Sequence, residues 1–594
     1  MTNLQIAELL RDVAASYQFK DQNKYKFQII AYQRAADSVE HATSELKDMW
    51  DDGKLSDVPG IGPSIAQHLD EIFKTGKSKH FEEIMSGIPE KAFKLMELPG
   101  IGIKTAMKHL KESPKSEIDK LLKEVKVKES KNSRHLLPYA VMVAKEVIDW
   151  MLKDKNIVRI DPLGSLRRQA ATVGDIDISV ATTKPLEALE HFTKYPKVQK
   201  IIEKGTHSSS IVVPGDIQVD LMVQPVESYG SLLQHFTGSK MHNIALRELA
   251  LKKGLSLNEY GISKVGKTAK TKFKTEQEFY KYLGLQWIPP ELREDEGEIE
   301  AARENKVPNL VELKDIKADL QIHSSFDIET SHDLGQSSME EIIKKGNELG
   351  YEYLAFTEHN PSQKGHTDQQ IVDILKRKRE AVDRINYKLQ KESGLLRETS
   401  AVHSEKIDKI NYSISESNTT LLRQGFGRVR KVFNSLEIDI MPNGNLPVPD
   451  AGLATLDFAL VSIHSSFDQS RAEMTKRVLS ALSHPKVKIF AHPTARKINE
   501  REGIELNWPE IFDFCLKNGK WLEIDTDPAR LDLPDTLVHE AVKLGVKLTM
   551  GTDAHHFDGM NNMAIGISVA RRGWCEKKDI INTKSLKEFE EVLQ

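Results

Sequence analysis

Cysteine is almost missing: Cys515 and Cys575 are the two in a chain of 594 residues. That count is too small for a disulfide framework and offers no thiolate zinc site. Charge of one sign is missing too, since 84 Lys and Arg oppose 88 Asp and Glu for a formal net charge of -4. No overall field therefore draws a polyanion, and contact with one must come from local basic clusters or backbone amides. Long apolar runs are also lacking. The start, MTNLQIAELLRDVAASYQF, is an amphipathic helical pattern with interspersed charges, without the unbroken apolar stretch of a signal peptide or membrane span. The expectation is a soluble cytoplasmic protein with reduced thiols and no membrane contact.

What is present is apolar content of 39%, enough for several cores in a chain too long for one. Up to about residue 150 the apolar residues recur at helical spacing, broken by Gly-Pro punctuation, with no convincing strand. From about 155 to 290, alternating segments such as ATVGDIDISV and GDIQVDLMVQ mix with helices such as SKMHNIALRELALKKG. WIPPELREDEGEIEAARENKVPNL, rich in proline and charge, reads as a connector. Beyond about 316, brief runs such as YLAF, FALVSI, VKIFA and VKLTM alternate with helical segments, the rhythm of repeated β-α units and a barrel. Within it, Ile371, Ile374, Leu375, Val382, Ile385 and Leu389 form one helical stripe, and the rest of that helix is assigned to a solvated basic face.

GDIDISV places Asp175 and Asp177 two residues apart in a strand, so both carboxylates emerge on one face while Ile176, Ile178 and Val180 bury the other. IQVDLMV repeats the scheme, with Ile217, Val219, Leu221 and Val223 inward and Asp220 outward. Three clustered carboxylates suit two magnesium ions, held about 4 Å apart, that stabilise the attacking and leaving oxygens of a phosphoryl transfer. Asp-x-Asp alone is more often a solvated strand face. Just upstream, however, GSLRR, Gly164 to Arg168, supplies a turn, a hydroxyl and two guanidinium groups for phosphate oxygens.

GSLRRQAATVGDIDI, the later VDL, and HFTGSKMHNIALR, in that order, resemble the family X DNA polymerases of the DNA polymerase beta type, over essentially all of residues 1 to 290. The resemblance implies that Asp175, Asp177 and Asp220 are catalytic and hold Mg2+ or Mn2+, with Asp220 the base near the primer terminus. It implies that Gly164, Ser165, Arg168 and Gly174 bind the incoming deoxynucleoside triphosphate. Phe236, Thr237 and Gly238 lie against its sugar, Asn243 contacts the nucleotide, and Arg247 faces the template. His235 stands where the family usually has another aromatic, which puts sugar discrimination in question.

VPGIGPSIAQHL and LPGIGIKTAMKHL repeat one pattern, apolar-Pro-Gly-Ile-Gly before a helix start, and read as two helix-hairpin-helix motifs. Gly60, Gly62, Gly100 and Gly102 allow tight turns whose backbone amides meet DNA phosphates without reading bases. Lys104 is assigned to a backbone phosphate. Relatives with deoxyribose-phosphate lyase activity carry a lysine after the first hairpin; His68 stands there, which argues against that activity.

In the second half, apolar runs end in a histidine or acid: DLQIH at His323, YLAFTEH at His359, FALVSIH at His464, VKIFAH at His492, and TMGTDAH at Asp553 and His555. Strand ends on one side of a β-α barrel converge, so scattered residues can build one site. The pattern resembles the polymerase and histidinol phosphatase (PHP) domain, over about 316 to 594. That resemblance implies the ligands His323, His359, Glu437, His464, His492, Asp553 and His555, with Asp333 as a further acid and Asp327 its rival, around Zn2+ or Mn2+. The family's His-x-His is Gln321 and His323 here, and its Thr-Asp-His is Thr357, Glu358 and His359. An amide binds a divalent metal more weakly than imidazole, so one position of the cluster is expected to be weak.

The expected fold is multidomain. It comprises a helical DNA-binding region at 1–85, a helical fingers-like region at 86–150, an α+β nucleotidyltransferase palm at 151–232 and a thumb-like region at 233–288. A linker at 289–315 and a distorted (β/α)7 PHP barrel at 316–594 complete it. The expected activity is gap-filling DNA synthesis by a monomer acting on DNA and deoxynucleoside triphosphates, with a 3'-to-5' exonuclease in the barrel. Rival readings are a structural barrel without catalysis, a nucleotidyltransferase using a non-DNA acceptor, and a DNA-end scaffold.

Overall fold

The computed structural model describes residues 3–40, 46–51, 55, 58, 61–96, 101–112, 118, 134–392 and 429–593. The chain forms two compact units, Met1–Arg134 with Pro185–Met222, and His135–Lys184 with Val223–Gln594.

In the first unit, helices Asn3–Asp21 and Lys26–Glu40 pack on each other around Ile6, Leu10, Val13, Tyr32 and Ala35. Helix Pro63–Thr75 begins at Gly62 with proline in its first turn and ends at Gly76, whose φ of 80° permits the left-handed cap that returns its N–H to Ile72 O. Helix Ile103–Glu112 buries Ile103 and Ala106 against Ala92 and Leu95. An antiparallel meander of strands Lys200–Lys204, Ser208–Val213 and Ile217–Gln224 lies in the same unit up to Met222.

In the second unit, strand Ile157–Pro162 pairs antiparallel with Ile176–Thr182. Helices Tyr229–Thr237 and Lys240–Lys252 follow, then a small antiparallel sheet of Leu255–Asn258, Gly261–Lys264 and Lys270–Thr271. Helix Glu276–Tyr282 starts at a Thr275/Glu278 capping box. The segment expected to be a linker is packed instead. Ile288, Leu292, Ile299 and Ala302 are buried together with Leu246, Phe279 and Tyr280. Some of its charges are buried as well, each with a partner: Arg293 donates to Glu276 Oε1 at 2.6 Å, and Glu298 Oε1 lies 2.5 Å from His242 Nδ1.

From residue 318 on, strands Ala318–Ile322, Tyr353–Phe356 and Lys431–Asn434 form one parallel sheet. Glu437–Asp439, Ala459–Ser462, Val487–Phe490, Trp521–Asp525 and Leu548–Gly551 form another. Parallel bridges His359↔Glu437 and Ile322↔Ala554 join the two sheets at both edges. Most of these strands are buried on both faces, as helix-covered parallel sheets require. Helix Asp368–Glu392 buries the expected stripe, but also Lys378, fully enclosed at the centre of that stripe.

Candidate functional site

Two groups of residues matter, and the first is local in sequence. Gly164 opens a one-turn helix, Gly164–Arg167, right after strand Ile157–Pro162. Its φ is 53°, and a Cβ there would lie 2.3 Å from Asp177 Oδ2. Only glycine lets the turn adopt that backbone and press against the Asp177 carboxylate. The Leu163 N–H donates to Asp177 O at 2.8 Å, locking the turn to the strand. Ile176, Ile178 and Val180 are fully buried, whereas Asp175 is exposed and Asp177 half-buried. Ser165 and Gly174 are half-buried in the same segment.

The two arginines of GSLRR diverge. Arg167 forks onto Glu276 (Nη1–Oε1 3.0 Å, Nη2–Oε2 2.6 Å) and also donates to Thr237 Oγ1 at 2.5 Å. Arg293 Nη1 reaches Glu276 Oε1 at 2.6 Å. Burial alone would raise the Glu276 carboxyl, but Arg293 and Arg167 overcome that and hold it at about 2. Arg168 turns the other way, donating from Nε to Glu294 Oε1 at 2.9 Å and from Nη1 to Thr237 O at 2.6 Å.

Phe236 and Thr237 end a helix, and Gly238 follows at φ 66° with the Arg168 guanidinium 3.2 Å from where its Cβ would be. The His235 and Phe236 rings meet edge to face at 4.8 Å. Asn243 is held to the same helix end, donating to His235 O at 2.7 Å and accepting from Gln234 Nε2 at 2.8 Å. Arg247 is half-buried on helix Lys240–Lys252.

In the first unit, Asp220 sits opposite Ser210 in the meander. The predicted inward residues Ile217, Val219, Leu221 and Val223 are buried, and Asp220 on the opposite face is itself only 4% exposed. The strand is covered on both sides, and Gln218 Nε2 donates to both Asp220 oxygens at 3.1 and 2.9 Å. Gly62 and Gly102 begin their helices with open space where a Cβ would project, and Lys104 is exposed on the second helix. Gly60 and Gly100 lie outside the described residues. His68 stacks on His80 at 4.4 Å.

The second group is assembled from strand ends far apart in sequence, around Glu437. His492 Nε2 lies 2.8 Å and His464 Nε2 3.3 Å from Glu437 Oε1. His323 Nε2 lies 3.2 Å and His359 Nδ1 3.6 Å from Oε2. His323 Nε2 is also 2.9 Å from Asp553 Oδ1, and His555 stacks on His323 at 4.2 Å. His492 and Asp553 hold left-handed backbones, φ 28° and 49°, a strain more often found where function than where stability sets geometry.

Asp333 is exposed and, among the described residues, stands in none of the groups whose atoms come together; Asp327, also exposed, accepts from the Glu329 N–H at 3.0 Å. His332 stands in their place, with ring nitrogens that group with those of His359 and His464. Asp439 Oδ2 meets His332 Nε2 at 2.6 Å and Asp439 Oδ1 meets His464 Nδ1 at 2.7 Å. Gly335 makes this possible, since a Cβ on it would strike the His323 carbonyl at 2.1 Å and push the loop away. A usable signal existed in the chain: Glu437 and Asp439 alternate along one strand and so share a face. Glu358 is no ligand either; it is paired with buried Lys378 and accepts from the Ser324 N–H at 3.2 Å.

Burial opposes protonation of His323, but Asp553 and Glu437 override it and push its pKa up to about 10. Against the same penalty of burial, Asp439 and Glu437 raise His464 to about 9. His359, desolvated and beside His323 and His464, falls to about 3. Such a cluster exchanges its protons for cations. Buried nitrogens of His323, His359, His492 and His555 also lack hydrogen-bond partners, a donor set that fits divalent metal. At Gln321, the side-chain amide donates to Glu437 Oε2 at 3.0 Å and Asp553 Oδ1 at 3.4 Å, placing N–H groups between two carboxylates.

No helix among the described residues is long and apolar enough to cross a membrane. Residues 1–78 match a helix-hairpin-helix domain and residues 232–294 the DNA polymerase beta thumb. The chain is 25% identical to DNA polymerase lambda of Arabidopsis thaliana across 49% of its own length and 62% of that protein. It is 20% identical to the DNA nucleotidylexotransferase of Gallus gallus across 48% and 67%. With the DNA polymerase/3'-5' exonuclease PolX of Bacillus subtilis (strain 168) it shares 30% identity over 99% of both chains. A likeness that runs the full length of both proteins, helical start to histidine cluster, makes this chain a member of the family X DNA polymerases.

Proposed function

We propose that the protein fills gaps in duplex DNA by template-directed addition of deoxynucleotides, and trims 3' ends with a second site in a C-terminal PHP-type barrel. The observation that carries the polymerase assignment is the Gly164 turn, which lets the Asp177 carboxylate lie against the segment bearing Ser165 and Arg168.

In this reading Asp175, Asp177 and Asp220 hold divalent cations, Mg2+ or Mn2+, as hard oxygen ligands. Bound there, the cations supply electrostatic stabilisation of the attacking and leaving oxygens. Asp220 takes the proton of the primer 3'-hydroxyl, with its carboxylate oriented by Gln218. Ser165, Arg168 and Gly174 receive the triphosphate, Arg168 from a pose already set by Thr237 and Glu294. Phe236, Thr237 and Gly238 flank the sugar, and Asn243 gives up its bonds to His235 O and Gln234 to reach the nucleotide. Arg247 faces the template. The turns at Gly60, Gly62, Gly100 and Gly102, with Lys104, grip backbone phosphates.

In the barrel, His323, His332, His359, Glu437, His464, His492, Asp553 and His555 are assigned to Zn2+ or Mn2+. Asp439 orients His332 and His464 from behind, as carboxylates behind metal-binding histidines do. Gln321 occupies one end of the cluster, which favours fewer filled positions than an all-imidazole set.

Primer extension and 3'-end degradation on one gapped substrate test both assignments. Asp175→Ala with Asp177→Ala should stop synthesis and spare degradation; His359→Ala with His492→Ala should do the reverse. Synthesis unchanged by the first pair refutes the metal assignment. Unaltered protein that degrades nothing with Mn2+ or Zn2+ leaves the barrel as a structural module, the reading that the Gln321 bonds favour.

A further inference from the structure

The barrel is joined to the polymerase part by a charged junction that reaches the triphosphate pocket. Helix Met563–Arg572 of the barrel ends in two adjacent arginines. Arg571 Nε donates to Glu291 Oε1 at 2.9 Å and its Nη1 to Val311 O at 3.1 Å. Arg572 goes further. Its Nη1 donates to Glu294 Oε1 at 2.8 Å and to the main-chain carbonyl of Arg168 itself at 3.0 Å, while its Nε is braced by Asp535 Oδ2 at 2.6 Å. The oxygen it holds, Glu294 Oε1, is the one that accepts from Arg168 Nε. Arg168 and Arg572 are 15% and 12% exposed, so these bonds are largely sheltered from solvent.

We propose that Arg572, a barrel residue, is a positioning residue for nucleotide binding at the polymerase site: it fixes the Glu294 carboxylate and the Arg168 main chain, and through them the Arg168 guanidinium. A free glutamate side chain rotates among several conformers, and ordering it only on nucleotide arrival would weaken binding. With Glu294 clamped from the barrel side, two of the five guanidinium N–H groups of Arg168 are engaged and three stay available for phosphate. The proposal rests on the assignment of Arg168 to the triphosphate.

The test is steady-state kinetics of the full-length protein on gapped DNA, with 3'-end degradation measured alongside. Arg572→Ala should raise KM for the deoxynucleoside triphosphate about fivefold or more, with little change in kcat or in degradation. Glu294→Ala should raise KM as well. The double variant should be no worse than the more affected single one, because both act through one chain of contacts. Arg571→Ala is the control, since it breaks the same junction without touching Glu294 or Arg168, and it should leave KM unchanged. Equal effects of Arg571→Ala and Arg572→Ala, or additive effects of Arg572→Ala and Glu294→Ala, overturn the proposal and make Arg572 a docking residue only. If Arg168→Ala itself leaves KM unaltered, the assignment of Arg168 has failed first.

Discussion

The Gly164 segment and the histidine cluster solve the same problem, gathering groups that repel or desolvate one another, in opposite ways. Residues 164 to 177 build their corner from adjacent chain: a glycine turn, two arginines, and a strand that returns Asp177 to the turn. Around Glu437 the histidines and acids come from His323 at one end to His555 at the other, gathered from the ends of several strands and the loops that follow them. A local site depends on a few backbone angles, whereas a dispersed one depends on the packing of a whole region. Failure in the first should be chemical and failure in the second should be global.

The largest effect is expected in the dispersed region. Lys378→Met strands Glu358 as an unpaired buried carboxylate and should destabilise the C-terminal region by about 3–5 kcal/mol in denaturant unfolding. Adding Glu358→Gln should recover much of that loss. A single variant as stable as the parent would refute the buried pair.

On the local side, acid should act through Glu276. Its folded pKa of about 2 lies below its ordinary 4.5, so the stabilisation is complete above about pH 4.5 and disappears as pH falls toward 2. The shift corresponds to about 3 kcal/mol. Glu276→Gln should flatten that part of the pH-stability curve; an unchanged curve would place the acid sensitivity elsewhere.

Gly164→Ala should reduce nucleotide incorporation about a hundredfold while leaving 3'-end degradation intact, because the strained backbone and the Asp177 contact both concern one turn. Parallel loss of both activities would erase the distinction between local and dispersed sites.

The smallest effect is a gain. Gln321→His replaces an amide wedged between Glu437 and Asp553 by an imidazole, and should tighten Mn2+ binding by about tenfold in calorimetry. Weaker binding would mean that the amide supports the cluster better than a ring.

How much was legible follows the same division. The Asp-x-Asp segment, the glycine turn and the apolar stripe of helix Asp368–Glu392 are short-range patterns; the turn and the stripe are found where the pattern placed them, whereas the strand begins at Ile176 and so carries Asp177 but leaves Asp175 in the bend before it. Lys378 was misread because residue type alone assigns a lysine to solvent; only a partner from another element, Glu358 just beyond strand Tyr353–Phe356, makes its burial tolerable. The expected further acid was Asp333, with Asp327 its rival; His332, in the same loop, carried no such pattern and is held at the cluster by Asp439, more than a hundred residues away. The packed segment at 289–315 hid its role because its anchors, Leu292, Ile299 and Ala302, are sparse among prolines and charges.

By itself, the sequence determined the periodicities that make helices and strands, the glycines that permit particular turns, and the kinds of donor atom available at strand ends. Which donors meet was decided by tertiary structure: the four histidines around Glu437, the amide of Gln321 beside two carboxylates, and Arg572 beside Arg168. The physical reason is range. Backbone preferences act over a few residues, while desolvation and charge pairing depend on whatever the folded chain brings within a few ångströms, however distant in sequence.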